Sequence, residues 1–330
     1  MSDPSQTLWE PSDEQVANAA MTRFRERAEH ICGNPLPDYT SLHQWSVSHP
    51  AAFWELIWDF CGVEGERQGE VLGRQHEMPS ATFFADSHLN FAQNLLRFDD
   101  EQLAIVSRLE NGQRYTLTYW ELRWQVGAVA AFLSSKGVGE GDRVAAFMPN
   151  VAQTIVGMLA ATSVGAIWSS CSPDFGVNGV YDRFGQIEPT VLIACDGYFY
   201  NGKTINSGPV VREVCARVTS IRHVIQVPVA GFDHFDVDAE VSSWDDVTRG
   251  LQDPEFASLP FNHPLYIMYS SGTTGVPKCI LHGAGGTLLQ HLKEHQLHVN
   301  LNRSDTLFYF TTCGWMMWNW LVSGLASGAT

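Results

Sequence analysis

The stretch Arg143-Val144-Ala145-Ala146-Phe147-Met148-Pro149-Asn150, with residues 151–171 after it, decides the fold class. It contains a short apolar run, an apolar segment of helical length and a second short apolar run. No charged residue occurs between Val144 and Pro173, but Pro149, Asn150 and several other polar residues interrupt the segment. A buried strand, helix and strand therefore explain the pattern better than a membrane span does.

The same alternation continues on the C-terminal side of this stretch. The pattern predicts strands at 143–148, 166–171, 190–195 and 222–227, and helices at 151–163, 177–187 and 209–217. This rhythm is typical of the α/β class, with layered, mostly parallel sheets flanked by helices. Residues 228–262 are acidic, rich in turn formers and weakly periodic, and we expect them to form a surface excursion before a new strand at Leu265–Tyr269.

Asn111-Gly112 lies between two strand-like runs, 103–109 and 114–119, and predicts a β-hairpin. Thr118 and Glu121 then form a capping box for a helix that runs to about Lys136.

The first hundred residues are rich in Trp and in helical spacing. In residues 48–58, Ser48 is expected to cap a helix and Pro50 to lie in its first turn. We divide the chain into a helical N-terminal cap, residues 1–100, and a large α/β domain, residues 101–330.

Composition excludes several classes of function. The 330 residues are 45% apolar, and 36 acidic against 20 basic side chains give a net charge of −16. That charge opposes general nucleic-acid binding, because phosphate backbones select basic surfaces. The seven Cys residues are scattered singly without a CxxC pair. This pattern favours reduced thiols in a cytoplasmic protein, and we expect neither a signal peptide nor a membrane segment.

The chemistry is predicted by the segment that follows the strand at 265–269. It reads Ser270-Ser271-Gly272-Thr273-Thr274-Gly275-Val276-Pro277-Lys278. Glycines allow backbone N–H groups to approach phosphate oxygens, the hydroxyls add donors, and Lys278 supplies a compact positive charge. The spacing is not that of a Walker A loop, and no dinucleotide fingerprint is present. A turn rich in Ser and Gly between two strands is the alternative that involves no ligand.

This segment resembles the phosphate-binding signature of the adenylate-forming superfamily, and other motifs resemble its acetyl-CoA synthetase branch. The matching stretches run from about residue 40 to the end of the chain. They are Leu89-Asn90-Phe91-Ala92, Thr118-Tyr119-x-Glu121-Leu122, Gly141-Asp142-Arg143-Val144, Met148-Pro149-Asn150, Val164-Gly165-Ala166-Ile167-Trp168, residues 169–176 and residues 311–320. Cys279 departs from the superfamily's usual Gly after the Lys.

The resemblance implies an acid–thiol ligase that forms AMP. It implies that the carboxylate of acetoacetate attacks ATP, giving acetoacetyl-AMP and pyrophosphate, and that CoA then forms the thioester, with Mg²⁺ assisting. It assigns the ATP phosphates to Ser270, Ser271, Gly272, Thr273, Thr274, Gly275 and Lys278. It also assigns the acyl pocket to Trp315, Met316 and Met317, and a CoA contact to Lys203. A core helix with a Met and Trp stripe, and a solvated loop Lys, are the alternatives for the last two assignments.

The same resemblance implies that several elements are missing. The superfamily's adenine-binding turn, ribose-binding Asp, C-terminal lid domain and catalytic Lys would all follow residue 330. We therefore expect a truncated large domain that is inactive alone, and we assign neither a catalytic residue nor a metal ligand. The oligomeric state cannot be predicted from the sequence.

Three alternatives remain for the function. One is a synthetase for another short-chain acid, and another is a relative that binds nucleotide only as a regulatory signal. The third is a zinc peptidase, because His291-Leu292-Lys293-Glu294-His295 fits an HxxEH pattern, with both imidazoles on one face of a helix predicted at 285–299.

Overall fold

Short helices and two-residue strands form the N-terminal part of the chain. The structure, a computed structural model, describes residues 7–250, 252–270 and 275–330. The elements of this part are α1 (Asp13–Asn18), α2 (Ala20–Cys32), α3 (Tyr39–Ser48), α4 (Pro50–Phe60), β1 (Gly65–Glu66), β2 (Leu72–Gly73), β3 (Thr82–Phe83), β4 (His88–Leu89) and α5 (Phe91–Leu95).

Longer elements that alternate between strand and helix form the rest of the chain. The strands are β5 (Leu103–Arg108), β6 (Arg114–Thr118), β7 (Arg143–Phe147), β8 (Ile167–Cys171), β9 (Val191–Cys195), β10 (Gly197–Tyr200), β11 (Lys203–Asn206), β12 (His223–Val227), β13 (Glu240–Ser243), β14 (Leu259–Pro260), β15 (Pro264–Tyr269) and β16 (Cys279–Gly283). The helices are α6 (Tyr119–Ser135), α7 (Ala152–Ser163), α8 (Val177–Ile187), α9 (Gly208–Arg217), α10 (Trp244–Val247), α11 (Ala284–Leu292) and α12 (Met316–Val322). A π-helix (Lys293–His298) extends α11, and a 3₁₀ turn (Ser323–Ser327) follows α12.

A seven-stranded sheet organises these elements. Its order is β13-β12-β9-β7-β8-β15-β16, and all neighbours are parallel except the antiparallel pair β15 and β16. Strand β9 is buried at every position, as expected for a central parallel strand covered on both faces. The predicted α/β class and the βαβ reading of residues 144–173 are confirmed. Within the described residues, no helix is both long and apolar enough to cross a bilayer.

Alternate residues of the central strands face different helices. Val144 and Ala146 belong to the larger buried cluster, which also contains the apolar faces of α6, α7 and α11. Ala145 and Phe147 belong to a second cluster with α8 and α9. The period of two along a strand separates the two sets, so the sheet is the middle of three layers.

The N-terminal helices pack into the larger of these clusters. Phe24 of α2 and Trp58 of α4 are buried there, and Trp58 stacks on Phe261 with ring centroids 6.3 Å apart. The expected cap at Ser48 is wrong, because Ser48 is the last residue of α3 and His49 precedes α4. The predicted position of Pro50 in the first turn is confirmed, because it is the first residue of α4.

Residues 228–262 contain more regular structure than expected. Strand β13 pairs in parallel with β12 at the edge of the main sheet, and α10 and β14 follow it. An edge strand needs few apolar contacts, and β13 has no fully buried position, which is why its sequence pattern is weak.

A buried carboxylate fixes the start of this region. Asp196 is 1% exposed, and its two oxygens accept four backbone N–H groups at 2.7–2.9 Å, from Val229, Ala230, Gly231 and Phe232. The loop after β12 is therefore held against the C-terminal end of β9.

Candidate functional site

The predicted phosphate loop connects two antiparallel strands of the main sheet. Its base is closed by two hydrogen bonds between Ser270 and Lys278. The Ser270 N–H donates to the Lys278 carbonyl at 3.0 Å, and the Lys278 N–H donates to the Ser270 Oγ at 3.3 Å. Ser271, Gly272, Thr273 and Thr274 lie outside the described residues. The local topology is that of the alternative, a turn between two strands. The two descriptions are compatible, because a hairpin loop rich in hydroxyl and backbone N–H donors can also bind phosphate.

Two further loop residues have the properties that the prediction requires. Gly275 has φ +96°, a conformation that residues with a Cβ rarely adopt, and no atom of the described residues lies within 4 Å of a Cβ built there. Lys278 is exposed at the end of the loop. Its ammonium is therefore available to an anion that enters from solvent.

The loop lies at the carboxyl edge of the parallel strands. Tyr269, the last residue of β15, places its hydroxyl 3.0 Å from the Oγ of Ser169 on β8. Burial raises the pKa of the Tyr269 phenol, so the group stays neutral. Ligands of open α/β sheets bind outside this edge, where the loops after the strands converge.

Three motif segments that are distant in the sequence meet at the same edge. The Ser170 Oγ donates to the Cys313 carbonyl at 2.6 Å, and the Cys313 thiol lies 2.9 Å from the Met148 carbonyl. The indole N–H of Trp318 donates to the Asn150 side chain at 2.9 Å. Residues 148–150, 169–171 and 311–320 therefore form one continuous wall beside β15.

The candidate acyl residues lie at the start of α12 on this wall. Trp315 precedes the helix and is 69% exposed, Met316 is 44% exposed and Met317 is half-buried. The next residue, Trp318, is fully buried. Trp318 therefore fits the alternative of a core helix, whereas Trp315, Met316 and Met317 lie on the outer surface of the wall.

Lys203 lies at the tip of a hairpin that was not predicted. Strands β10 and β11 are antiparallel, and the two turn residues, Asn201 and Gly202, have φ of +49° and +72°. This is the backbone of a two-residue hairpin turn, for which Asn-Gly is the preferred sequence. The hairpin follows the carboxyl end of β9, so exposed Lys203 is carried at the same edge of the sheet as the phosphate loop.

The two imidazoles of the HxxEH pattern have structural partners. His291 Nδ1 lies 2.8 Å from the Ser323 Oγ, and His295 Nε2 lies 2.7 Å from the Trp320 carbonyl. The Glu294 carboxylate accepts the indole N–H of Trp320 at 3.0 Å. Both histidines are buried, and they connect α11 and its π-helical extension to the segment after α12. These contacts favour a structural role for the pattern over a zinc site.

The buried imidazole of His291 should make the fold sensitive to acid. Burial, and then the neighbouring His295 and His282, lower the pKa of His291 to about 3. Because the folded pKa lies below the ordinary value near 6.5, the stabilisation is complete above pH 6.5 and is lost as pH falls toward 3. Between pH 7 and pH 5, we expect the free energy of unfolding of the parent chain to fall by about 2 kcal/mol more than that of the His291→Asn variant.

Urea denaturation at the two pH values measures this difference. Exposed His43 offers the matched control, and His43→Asn should keep the full pH dependence of the parent chain. An equal fall in His291→Asn and in the parent would contradict the assignment.

Comparison with known proteins agrees with this geometry. A family model described as AMP-binding enzyme matches residues 91–330. The acetoacetyl-coenzyme A synthetase of Rhizobium meliloti (strain 1021) is 50% identical over 98% of this chain, and the acetoacetyl-CoA synthetase of Mus musculus is 44% identical over 98%. The solved structure of acetoacetyl-CoA synthetase from Streptomyces lividans superimposes with a TM-score of 0.93, at 39% identity over 98% of the chain.

The chain spans about half the length of these relatives, since it covers 50% of each of the three. The family match nevertheless includes the sheet, the loop and the wall described above, because all of them lie within residues 91–330. This chain belongs to the AMP-binding enzyme family.

Proposed function

We propose that this chain is the ATP-handling part of an AMP-forming acid–thiol ligase that activates acetoacetate. The observation that carries the proposal is the loop closed by Ser270 and Lys278 at the carboxyl edge of the sheet. The family match and the similarity to acetoacetyl-CoA synthetases support it. The proposed overall reaction converts acetoacetate, ATP and CoA to acetoacetyl-CoA, AMP and pyrophosphate.

The loop suits the first half of this reaction. An acetoacetate oxygen attacks the α-phosphorus of ATP, and the bond to the β-phosphate oxygen breaks as pyrophosphate leaves. Negative charge then grows on the leaving group, where backbone donors and the Lys278 ammonium stabilise it. In the second half, the CoA sulfur attacks the acyl carbon and AMP leaves. Lys203 is our candidate for a contact with CoA.

Mg²⁺ would enter this site with the nucleotide. Among the described residues, no group of three or more His, Cys, Asp or Glu side chains is placed to hold a metal ion. The described residues alone therefore do not form a metal site. When bound to the phosphates of the nucleotide, Mg²⁺ would neutralise part of their negative charge.

We also propose a domain organisation and a cellular location for this chain. Residues 1–100 form a helical cap on a large domain, residues 101–330. The partners are small molecules, and the net charge of −16 opposes nucleic acid as a partner. Seven free thiols support a cytoplasmic location.

Met317 is expected to set the preference for acetoacetate, together with Trp315 and Met316. We predict that Met317→Ala changes the ratio of kcat/KM between acetoacetate and acetate by about 1–3 kcal/mol, because hydrophobic pocket contacts have this size. The enzyme to test is a fusion of residues 1–330 to the second half of the Rhizobium meliloti relative. Met78→Ala, which alters a Met that is 90% exposed, is the control and should keep the ratio. An unchanged ratio in Met317→Ala with both activities retained would contradict the prediction.

The fused enzyme also tests the proposed function. Acetoacetate, acetate and longer acids compete for limiting ATP, and each thioester is quantified. The proposal predicts that acetoacetyl-CoA dominates. If another thioester dominates, its acid and not acetoacetate is the substrate. If a folded fusion forms no thioester at all, the proposed function is refuted.

A further inference from the structure

A cavity of about 480 Å³ lies between the N-terminal helix α2 and the segment that follows the π-helix. Its volume falls in the range of small-molecule sites in proteins. The two walls are joined directly, because the Ala20 N–H at the start of α2 donates to the Asn300 Oδ1 at 2.8 Å. None of the residues that line the cavity belongs to the segment 270–278, so it is separate from the proposed ATP site.

Three arginine side chains line this cavity, and among the described residues no carboxylate does. Arg23 and Arg27 lie one turn apart on α2, and both are exposed. Neither forms an ion pair within the part of the chain that the structure describes. Arg303 differs, because its guanidinium pairs with Asp100. The cavity wall therefore carries two positive charges without a counter-ion and a third that already has one.

The two guanidinium groups without a counter-ion are held by other residues of the same wall. Arg23 Nη1 donates to the Asn18 carbonyl, and the Arg27 guanidinium carbon lies 5.1 Å from the centroid of the Phe60 ring. Asn18 and Phe60 also line the cavity. These contacts use one donor of Arg23 and the flat face of Arg27. A guanidinium has five donors in its plane, so both groups keep N–H donors for an anion.

Such an arrangement is unfavourable unless an anion binds. Like charges one turn apart on a helix repel each other, although the chain has 36 acidic residues against 20 basic ones to supply counter-ions. A second cavity shows the alternative, since Asp236 and Asp238 line it together with Arg212. The wall that contains Arg23 and Arg27 has no such carboxylates among the described residues, and this difference points to an anion from solution.

We propose that the cavity binds a phosphate group at Arg23 and Arg27, carried by a small polar molecule or free in solution. Guanidinium groups bind phosphate oxygens through parallel N–H donors, and two of them one turn apart match the charge of the dianion. The amide side chains of Asn18 and Gln296 also line the cavity. Amides both donate and accept hydrogen bonds, so they suit the hydroxyl groups of a sugar phosphate.

Calorimetric titration of the 330-residue chain with glucose 6-phosphate and with inorganic phosphate, at low ionic strength, tests the proposal. We expect the double variant Arg23→Met with Arg27→Met, which keeps the apolar stems and removes both charges, to bind roughly tenfold more weakly or worse. Arg23→Lys with Arg27→Lys keeps the charges and should retain much of the affinity. Tighter binding of glucose 6-phosphate would identify a phosphomonoester as the ligand, and equal affinity would identify free phosphate.

Arg212→Met with Arg222→Met is the matched control. It removes the same charge from the second cavity, where both arginines are exposed, and should bind like the parent. Equal binding by the Arg23 and Arg27 Met variant and the parent, an equal loss in the control, or no binding by the parent would each overturn the proposal. An equal loss in the Met and Lys variants, with lower melting temperatures in both, would assign the arginines to packing and overturn it as well.

Discussion

Replacing Lys278 with Ala in the fused enzyme is expected to lower acetoacetate-dependent exchange of pyrophosphate into ATP by about a hundredfold or more. Removal of one group that stabilises charge developing in the transition state has effects of this size. Because Lys278 is exposed and lies in a loop, the melting temperature should change little.

Lys293→Ala is the matched control for this prediction. Lys293 lies on the π-helix that extends α11, where its ammonium is 3.4 Å from His298 Nε2. Exchange in this variant should match the parent rate. Parent-level exchange in Lys278→Ala would remove Lys278 from the ATP site.

Asp196→Ala is expected to lower the free energy of unfolding by about 4 kcal/mol. The substitution removes the carboxylate that accepts four partly buried N–H groups, and each lost hydrogen bond to a charged acceptor costs about 1–3 kcal/mol before the loop relaxes. Chemical denaturation monitored by Trp fluorescence measures the change.

Asp236→Ala provides the comparison for Asp196→Ala. The Asp236 side chain is 92% exposed and makes one ion pair with Arg212, so its loss should change stability by less than about 1 kcal/mol. A similarly small effect of Asp196→Ala would show that the loop after β12 does not depend on the carboxylate.

The central strands of the main sheet could be predicted from the sequence because they are buried on both faces. The helix predicted at 177–187 is α8 (Val177–Ile187), and the strand predicted at 190–195 is β9 (Val191–Cys195). Continuous apolar runs and turn residues between them carry enough information for such elements. Edge elements carry less, as β13 illustrates.

The hairpin of β10 and β11 was missed although its signal was present. Asn201-Gly202 occupies the turn with positive φ at both residues. The same dipeptide, Asn111-Gly112, led us to predict the hairpin of β5 and β6. The flanking strands have only four residues each, and only one of those eight residues is buried, so periodicity did not mark them.

The candidate site was predictable in part. The residue types in 270–278 indicate phosphate binding from their local chemistry, and that role stays a prediction. The structure adds that Ser270 and Lys278 close the base of the loop. The contact between the Tyr269 hydroxyl and the Ser169 Oγ could not be found in this way. It depends on the pairing of β15 with β8, and no local pattern encodes that contact between distant parts of the chain.

Exchange of labelled pyrophosphate into ATP by the fused enzyme tests the central claim most directly, because it reports reversible adenylate formation without the thioester step. We expect exchange that requires acetoacetate, proceeds without CoA and falls sharply in Lys278→Ala. A folded fusion that shows no acetoacetate-dependent exchange, while the intact Rhizobium meliloti relative shows it under the same conditions, would contradict the account.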